Sequence, residues 1–254
     1  MLCVIVSASN ALTKWFKQDF PEGLPRVPSP DGKRIGTQPL TTNAEQISWQ
    51  CHVIQNFYRH GEYTVIVTEA DSRYTLLMPF AVAPTLAEFE NELLRRWGNE
   101  LAHLTAESKS LDETRIPRMI KQFILYPKSF TWYRNTDMSI HGHVSDAEQW
   151  VTQTLQEHGL QRLSDNDVLE LGDHINKLRK RAKQDRSGRK GFYPVVRLLD
   201  DGLYRFAQGL SGADFPNTPP DDFPNPYMTM TTATIQVAES LPDNVVCLSN
   251  YRNK

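Results

Sequence analysis

Cysteine is scarce in this chain: Cys3, Cys51 and Cys247 are the full complement in 254 residues. They are odd in number and widely spaced, with no Cys-x-x-Cys pair, so neither a structural metal site nor a disulfide framework is signalled. Buried thiols are their expected role. Long apolar runs are missing too, and nothing approaches the roughly 18 consecutive apolar residues of a membrane span. The apolar start, Met1 to Val6, is too short for a signal peptide and lacks a basic beginning, so it reads as a first strand. No Gly-x-Ser-x-Gly elbow serves a serine nucleophile, and no glycine-rich loop leads into Lys-Ser or Lys-Thr. Gly188-Arg-Lys-Gly191 has glycine and basic residues without the strand–loop–helix setting of a nucleotide loop. Charge of one sign is also missing: the formal net charge is -2, so attraction to nucleic acid must come from a local patch. A cytoplasmic protein with no membrane partner, no cofactor and no bound metal is expected.

What is present suffices for a core, at 39% hydrophobic and 23% charged residues. The organising stretch runs from Glu62 to Trp97. Tyr63 to Thr68 and Tyr74 to Phe80 are β-branched and aromatic runs around a polar break, which predicts a hairpin. After Pro84, Thr85 and Glu88 have capping-box spacing, and Leu86, Phe89, Leu93, Trp97, Leu101 and Leu104 follow at helical intervals. Before this block, Ser9-Asn10 opens a short helix, and five prolines between Phe20 and Asn43 predict a long loop. Ile47 to Tyr58 reads as a helix with Ile47, Cys51, Ile54 and Tyr58 on one side.

Farther along, Leu111 to Gln122 is expected as a short helix, then Phe123 to Tyr126 and Phe130 to Arg134 as strands. Ser145 with Glu148 repeats the capping-box spacing before a helix that Gly159 ends. Ser164 to Asp167 begins another, with Val168, Leu171, Ile175, Leu178 and Ala182 as a narrow stripe expected to pack within the chain, dimerisation being the alternative. Pro194 to Leu199 and Leu203 to Phe206, joined by Asp200-Asp-Gly202, read as a hairpin. A proline and aromatic segment over 212–227 is a candidate protein contact, and strands are expected at Thr229 to Val237 and Asn244 to Leu248. The fold class is α+β: a small sheet packed with amphipathic helices over residues 1–158, with a C-terminal helix and hairpin extension over 159–254.

The first strand, the Tyr63 to Phe80 hairpin and the segment Asn135 to Asp146 together resemble the domain of unknown function 6933 family, over roughly residues 1 to 158. Asn135, Ser139, Gly142 and Asp146 fit its pattern of an asparagine, a serine and a glycine leading to an aspartate. The proline-rich stretch at 20–43 and the C-terminal hundred residues depart from it. The resemblance implies the fold and a bacterial or phage source, and it supplies no mechanism.

Two constellations carry candidate chemistry. Asp137, His141, His143 and Asp146 are the densest polar group; the two imidazoles would project to one side of a strand, where with a carboxylate they can bind a divalent ion or act as acid and base. Turn and cap hydrogen bonding is the ordinary role of such residues. The second is the basic run Lys177, Arg179, Lys180, Arg181, Lys183, Arg186, Arg189 and Lys190, broken by the single acid Asp185. Phosphate contacts need several cations and no strict sequence, so this run can hold DNA or RNA, with Phe192 and Tyr193 placed to stack on unpaired bases. A solvated helix face gives the same pattern. The expected function is non-enzymatic binding or regulation, contacting nucleic acid through this basic helix end. A metal-dependent enzyme acting on nucleic acid is one alternative, and a module that binds a protein partner is the other.

Overall fold

A computed structural model describes residues 1–16, 22–27, 36–56, 61–180 and 191–207. It shows a mixed α/β fold, with five strands in one open sheet and helices on both faces. The strands are β1 (Leu2–Ala8), β2 (Gln46–Gln55), β3 (Tyr63–Glu69), β4 (Thr75–Phe80) and β5 (Lys128–Arg134). Their spatial order is β4-β3-β2-β1-β5. β1 is central among the parallel strands, pairing with both β2 and β5, whereas β2–β3 and β3–β4 are antiparallel.

The helices are α1 (Asn10–Trp15), α2 (Leu86–Ser108), α3 (Ile116–Leu125), α4 (Met138–Glu157), α5 (Asp165–Lys177) and α6 (Pro194–Phe206). On one face, alternate residues of the strands (Val4, Val6, Trp49, Cys51, Val65, Val67, Leu76, Met78) meet Leu12 of α1, Phe89, Leu93 and Trp97 of α2, Phe123 of α3 and Phe206 of α6. On the other face, Ile54, Ile66 and Leu77 meet Ile140, Val144, Val151 and Leu155 of α4 and Val168, Leu171 and Ile175 of α5. Each apolar stripe therefore finds a partner within this chain.

The hairpin, the first strand and the helices after Ser9 and Thr85 form as read from sequence, and the Thr85–Glu88 and Ser164–Asp167 capping boxes are both closed. Four local readings are corrected. The helix expected from Ile47 gives way to the strand β2 over Gln46–Gln55, and its expected end at residues 57 and 58 lies outside the described residues. Ile47, Trp49, Cys51 and Val53 alternate toward one core, and a spacing of four belongs to both the strand and the helix period. Phe123 to Leu125 ends α3 instead of forming a strand, with Pro117 accepted in the helix's first turn. α4 begins at Met138 under Asp137, so Ser145 lies inside the helix and caps nothing.

The expected hairpin at 194–206 is the helix α6. Pro194 occupies its first turn, and Val195, Leu198, Leu199, Leu203 and Phe206 share a buried face. Gly202 is a contact point and not a turn: a Cβ there would overlap the side chain of Leu101 on α2. α5 ends at Lys177, so Leu178 leaves the expected stripe. The readings at Ala182, 212–227, Thr229 to Val237 and Asn244 to Leu248 lie outside the described residues.

Candidate phosphate-binding site on the fourth helix

In open α/β sheets, ligands collect where the chains leaving neighbouring parallel strands part to opposite faces. Here β1 continues into α1 on one face and the adjacent β5 continues into α4 on the other. The crevice so formed is filled by the chain's own residues 36–40. Gln38 N donates to Asn135 Oδ1 at 2.8 Å, Asn135 Nδ2 donates back to Gln38 O at 2.9 Å, Thr136 N reaches Gly36 O at 3.0 Å and Leu40 N reaches Asp137 Oδ2 at 2.7 Å. Below them Gln50 Oε1 accepts from Asp137 N at 2.9 Å and from Ser7 Oγ at 3.3 Å. Asp137 also caps α4, accepting from Ser139 N at 2.7 Å. Asn135 and Asp137 thus hold the loop and the helix in place.

The remaining members of the first constellation do not converge with Asp137. Because residues 138–157 are helical and not a strand, His141 and His143 are separated by about 200° around the axis. His141 is exposed on the side of His52 and Glu148; His52, donating to or accepting from Ser9 Oγ at 2.9 Å, is held below the usual histidine range by burial. His143 shares the other side with Ser139, Gly142 and Asp146, at intervals of three and four. That face of α4 meets Arg73, from the β3–β4 turn, and Lys180, which follows α5.

Arg73 takes a left-handed backbone conformation (φ 60°), and its Nη2 donates to Ser139 Oγ at 3.2 Å. Burial lowers its pKa; the nearby Arg197 acts in the same direction, while Asp137, Glu69 and Asp71 oppose it. The buried Lys180 is lowered by desolvation, with Asp146 opposing. His143 is pushed down to about 4, by burial first and then by the charges of Lys180 and Arg73. Arg197 of α6 lays its guanidinium 3.7 Å over the Phe192 ring, and its Nη1 donates to Asp71 O at 3.1 Å. Four elements so bring three cations and an imidazole together.

This is where the basic run leaves the described fold. Lys180 and Phe192 pair as an isolated antiparallel bridge, N to O at 2.8 and 2.9 Å in the two directions. Gly191 permits that closure, because a Cβ there would stand 2.7 Å from Lys180 O and 2.7 Å from Arg179 Nε. The chain therefore departs and returns at one point beside the Arg73 and His143 side chains. Of the expected phosphate contacts, Arg181, Lys183, Arg186, Arg189 and Lys190 lie outside the described residues. Lys177 is held by carboxylates, with Nζ 2.8 Å from both Glu107 Oε1 and Asp173 Oδ1. Tyr193 is half-buried against the core of the first face.

Glu107 and Asp173, with His103, also form a group whose ligand atoms lie within 4.8 Å of one another, and the two carboxylates of that group are the ones that pair with the Lys177 ammonium. A separate cleft of about 570 Å³ opens between the end of β4 and the starts of α2 and α5. Its arginines are engaged: Arg95 and Arg96 with Glu92 at 2.7 and 2.5 Å, Arg96 with Asp165 at 3.1 Å, and Arg162 with Glu62 at 3.7 Å. Arg73 and Arg197 escaped sequence reading because each lies far along the chain from the other and outside the basic run, and only the packing of four elements brings them to it.

The fold and site define a mixed α/β protein with an open five-stranded sheet and a cationic corner at the α4–α5 side. No family model, curated protein or solved structure matches the chain. No helix among the described residues is long and apolar enough to cross a membrane.

Proposed function

We propose that this is a non-enzymatic binding protein that contacts DNA or RNA phosphates through the basic run 177–190. The observation that carries the reading is the gathering of Arg73, Lys180 and Arg197 at the point where the run departs and returns. Cations from the fold and from the run then act on one phosphate track, as counterion release requires. Lys177 is excluded from this set because Glu107 and Asp173 neutralise it. Arg179 and Lys180 stand at the base of the run, and Arg181, Lys183, Arg186, Arg189 and Lys190 supply its remaining charge.

The regulatory role and the bacterial setting rest on the family resemblance, whose Ser139, Gly142 and Asp146 fall on the α4 face beside the cluster, and the cytoplasmic setting rests on the sequence's lack of a signal peptide or membrane-length apolar run. The separation of His141 from His143, and of both from the capping Asp137, favours binding over metal-dependent cleavage. Incubating labelled DNA and RNA with the full chain and magnesium or manganese tests both parts. A shifted and uncut strand is expected, with the shift strongly weakened by joint replacement of Arg181, Arg186 and Arg189 by glutamine while the circular dichroism spectrum stays unchanged. A shortened strand would overturn the non-enzymatic reading, and an unchanged shift in the triple variant would remove the run from the interface.

A further inference from the structure

Buried donors are normally paired, and those that are not call for a ligand, water or ion. Among the described residues, the buried side-chain atoms without a partner include Arg73 Nε and Nη1, His143 Nδ1, His174 Nε2 and Arg197 Nε. All belong to this one corner: Arg73 and Lys180 act on His143, Arg197 acts on Arg73, and Lys180 acts on His174. The neighbouring carboxylates answer them only in part: Asp71 Oδ1 lies 3.9 Å from Arg197 Nη1, and Asp146 acts on Lys180. Asp137 is committed to Leu40 N and Ser139 N, and Glu69 to Thr42 Oγ1, Asp71 N, Ser72 N and Ser72 Oγ. Asp71 and Asp146 are exposed to water. Beside the corner the α4 surface is open, since a Cβ added at Gly142 would meet nothing within 4 Å.

We propose that the face of α4 carrying Ser139, Gly142 and His143 seats one compact oxyanion, a phosphate group, with Arg73 as its principal ligand. Arg73 offers the planar fork of donors that matches tetrahedral oxygens, Ser139 Oγ adds a hydroxyl, and a His143 ring nitrogen completes the set. Gly142 keeps the space clear. An extended phosphate track passes over many surface cations, whereas this seat is drawn from Arg73 and two side chains one turn apart on α4. The seat is thus a specific point within the nucleic-acid contact proposed above and rests on that reading for its biological role, while its chemistry stands without it.

The same phosphate can be free or carried at a strand end, and the test separates the two. The His143 imidazole resonances of the full-length protein are titrated by NMR in chloride and in about 50 mM inorganic phosphate at matched ionic strength. At the acidic pH where the ring titrates, inorganic phosphate is a monoanion, and a negative charge beside the ring favours its protonated form, so the midpoint is expected to rise by about one pH unit. The melting temperature should rise in phosphate by a few degrees. Arg73→Gln should lose both effects, and Arg73→Lys should keep part of them. An unmoved midpoint and melting temperature in the wild-type protein would overturn the seat with no variant needed.

In the second arm, an oligonucleotide with a 5′-phosphate should displace free phosphate about tenfold more effectively than its unphosphorylated twin if the group arrives on a strand end. Equal displacement assigns the seat to free phosphate. The Arg181, Arg186 and Arg189 glutamine variant keeps the phosphate effects under this proposal while losing strand binding. Loss of strand binding in the wild type with phosphate effects intact therefore sinks only the basic run, and the converse sinks only the seat.

Discussion

At the residue scale, the buried polar groups make opposite demands on pH. His143 is neutral in the folded protein down to about pH 4, whereas in the unfolded chain it protonates near the ordinary value of about 6.5. Its folded pKa is depressed, so the stability tied to it is present above about 6.5 and is lost as pH falls toward 4. His143→Gln should make the acid side of the stability curve shallower between those limits, as read by urea unfolding at stepped pH. Asp200 runs the other way. Burial and the adjacent Asp201 raise it to about 7, so its contribution is present below the unfolded value of about 3.9 and is lost as pH rises through 7. Asp200→Asn should stabilise the protein at pH 8 and leave it unchanged near pH 3.

At the element scale, two local contacts decide how helices pack, one against the sheet and one against another helix. Asn176 near the end of α5 is fully buried; it accepts from Thr75 N at 2.7 Å and donates to Thr75 O at 2.8 Å and to Gly172 O at 2.9 Å. It closes the free edge of β4 as a further strand would. Asn176→Ala should cost about 2–4 kcal/mol, because both backbone groups of Thr75 lose their partner. Gly202→Ala should cost about 1–3 kcal/mol by forcing α6 away from Leu101. Equilibrium denaturation measures both, and a wild-type midpoint in either variant would contradict the packing described.

The same scale shows what could be read from the sequence. The central hairpin, the α2 stripe and the Ser9, Thr85 and Ser164 caps were legible because each signal is local. β2 was misread because its apolar residues satisfy a spacing of four as well as two. α6 was misread because Asp200-Asp-Gly202 has the chemistry of a tight turn, and only the closeness of Leu101 shows why a glycine stands in mid-helix. At the candidate site, sequence placed His143 and the basic run but not their relation. Arg73, from a turn, and Arg197, from a helix read as a strand, gave no signal of their own.

At the scale of the whole molecule, a chain with net charge -2 meets a polyanion only where its cations are concentrated. Many of the described cations are spent inside the fold: Lys177 on Glu107 and Asp173, Arg205 on Asp201, Arg96 on Glu92 and Asp165. Arg73, Lys180 and Arg197 stand together in one corner, where the basic run leaves and rejoins the fold at the Lys180–Phe192 bridge. Gly191→Ala should open that bridge and weaken nucleic-acid binding more than it lowers the melting temperature, because the clash is with Lys180 O and not with the core.

The most direct measurement is the salt dependence of binding to labelled single-stranded and duplex nucleic acid by fluorescence anisotropy. The expected result is a linear fall of the logarithm of the binding constant with the logarithm of salt concentration, with a slope of about -3 to -5 for a contact of several phosphates. Replacing Arg181, Arg186 and Arg189 by glutamine should reduce that slope by about 3 on duplex DNA. No binding at low salt, or a slope that the triple replacement leaves unchanged, would contradict the account.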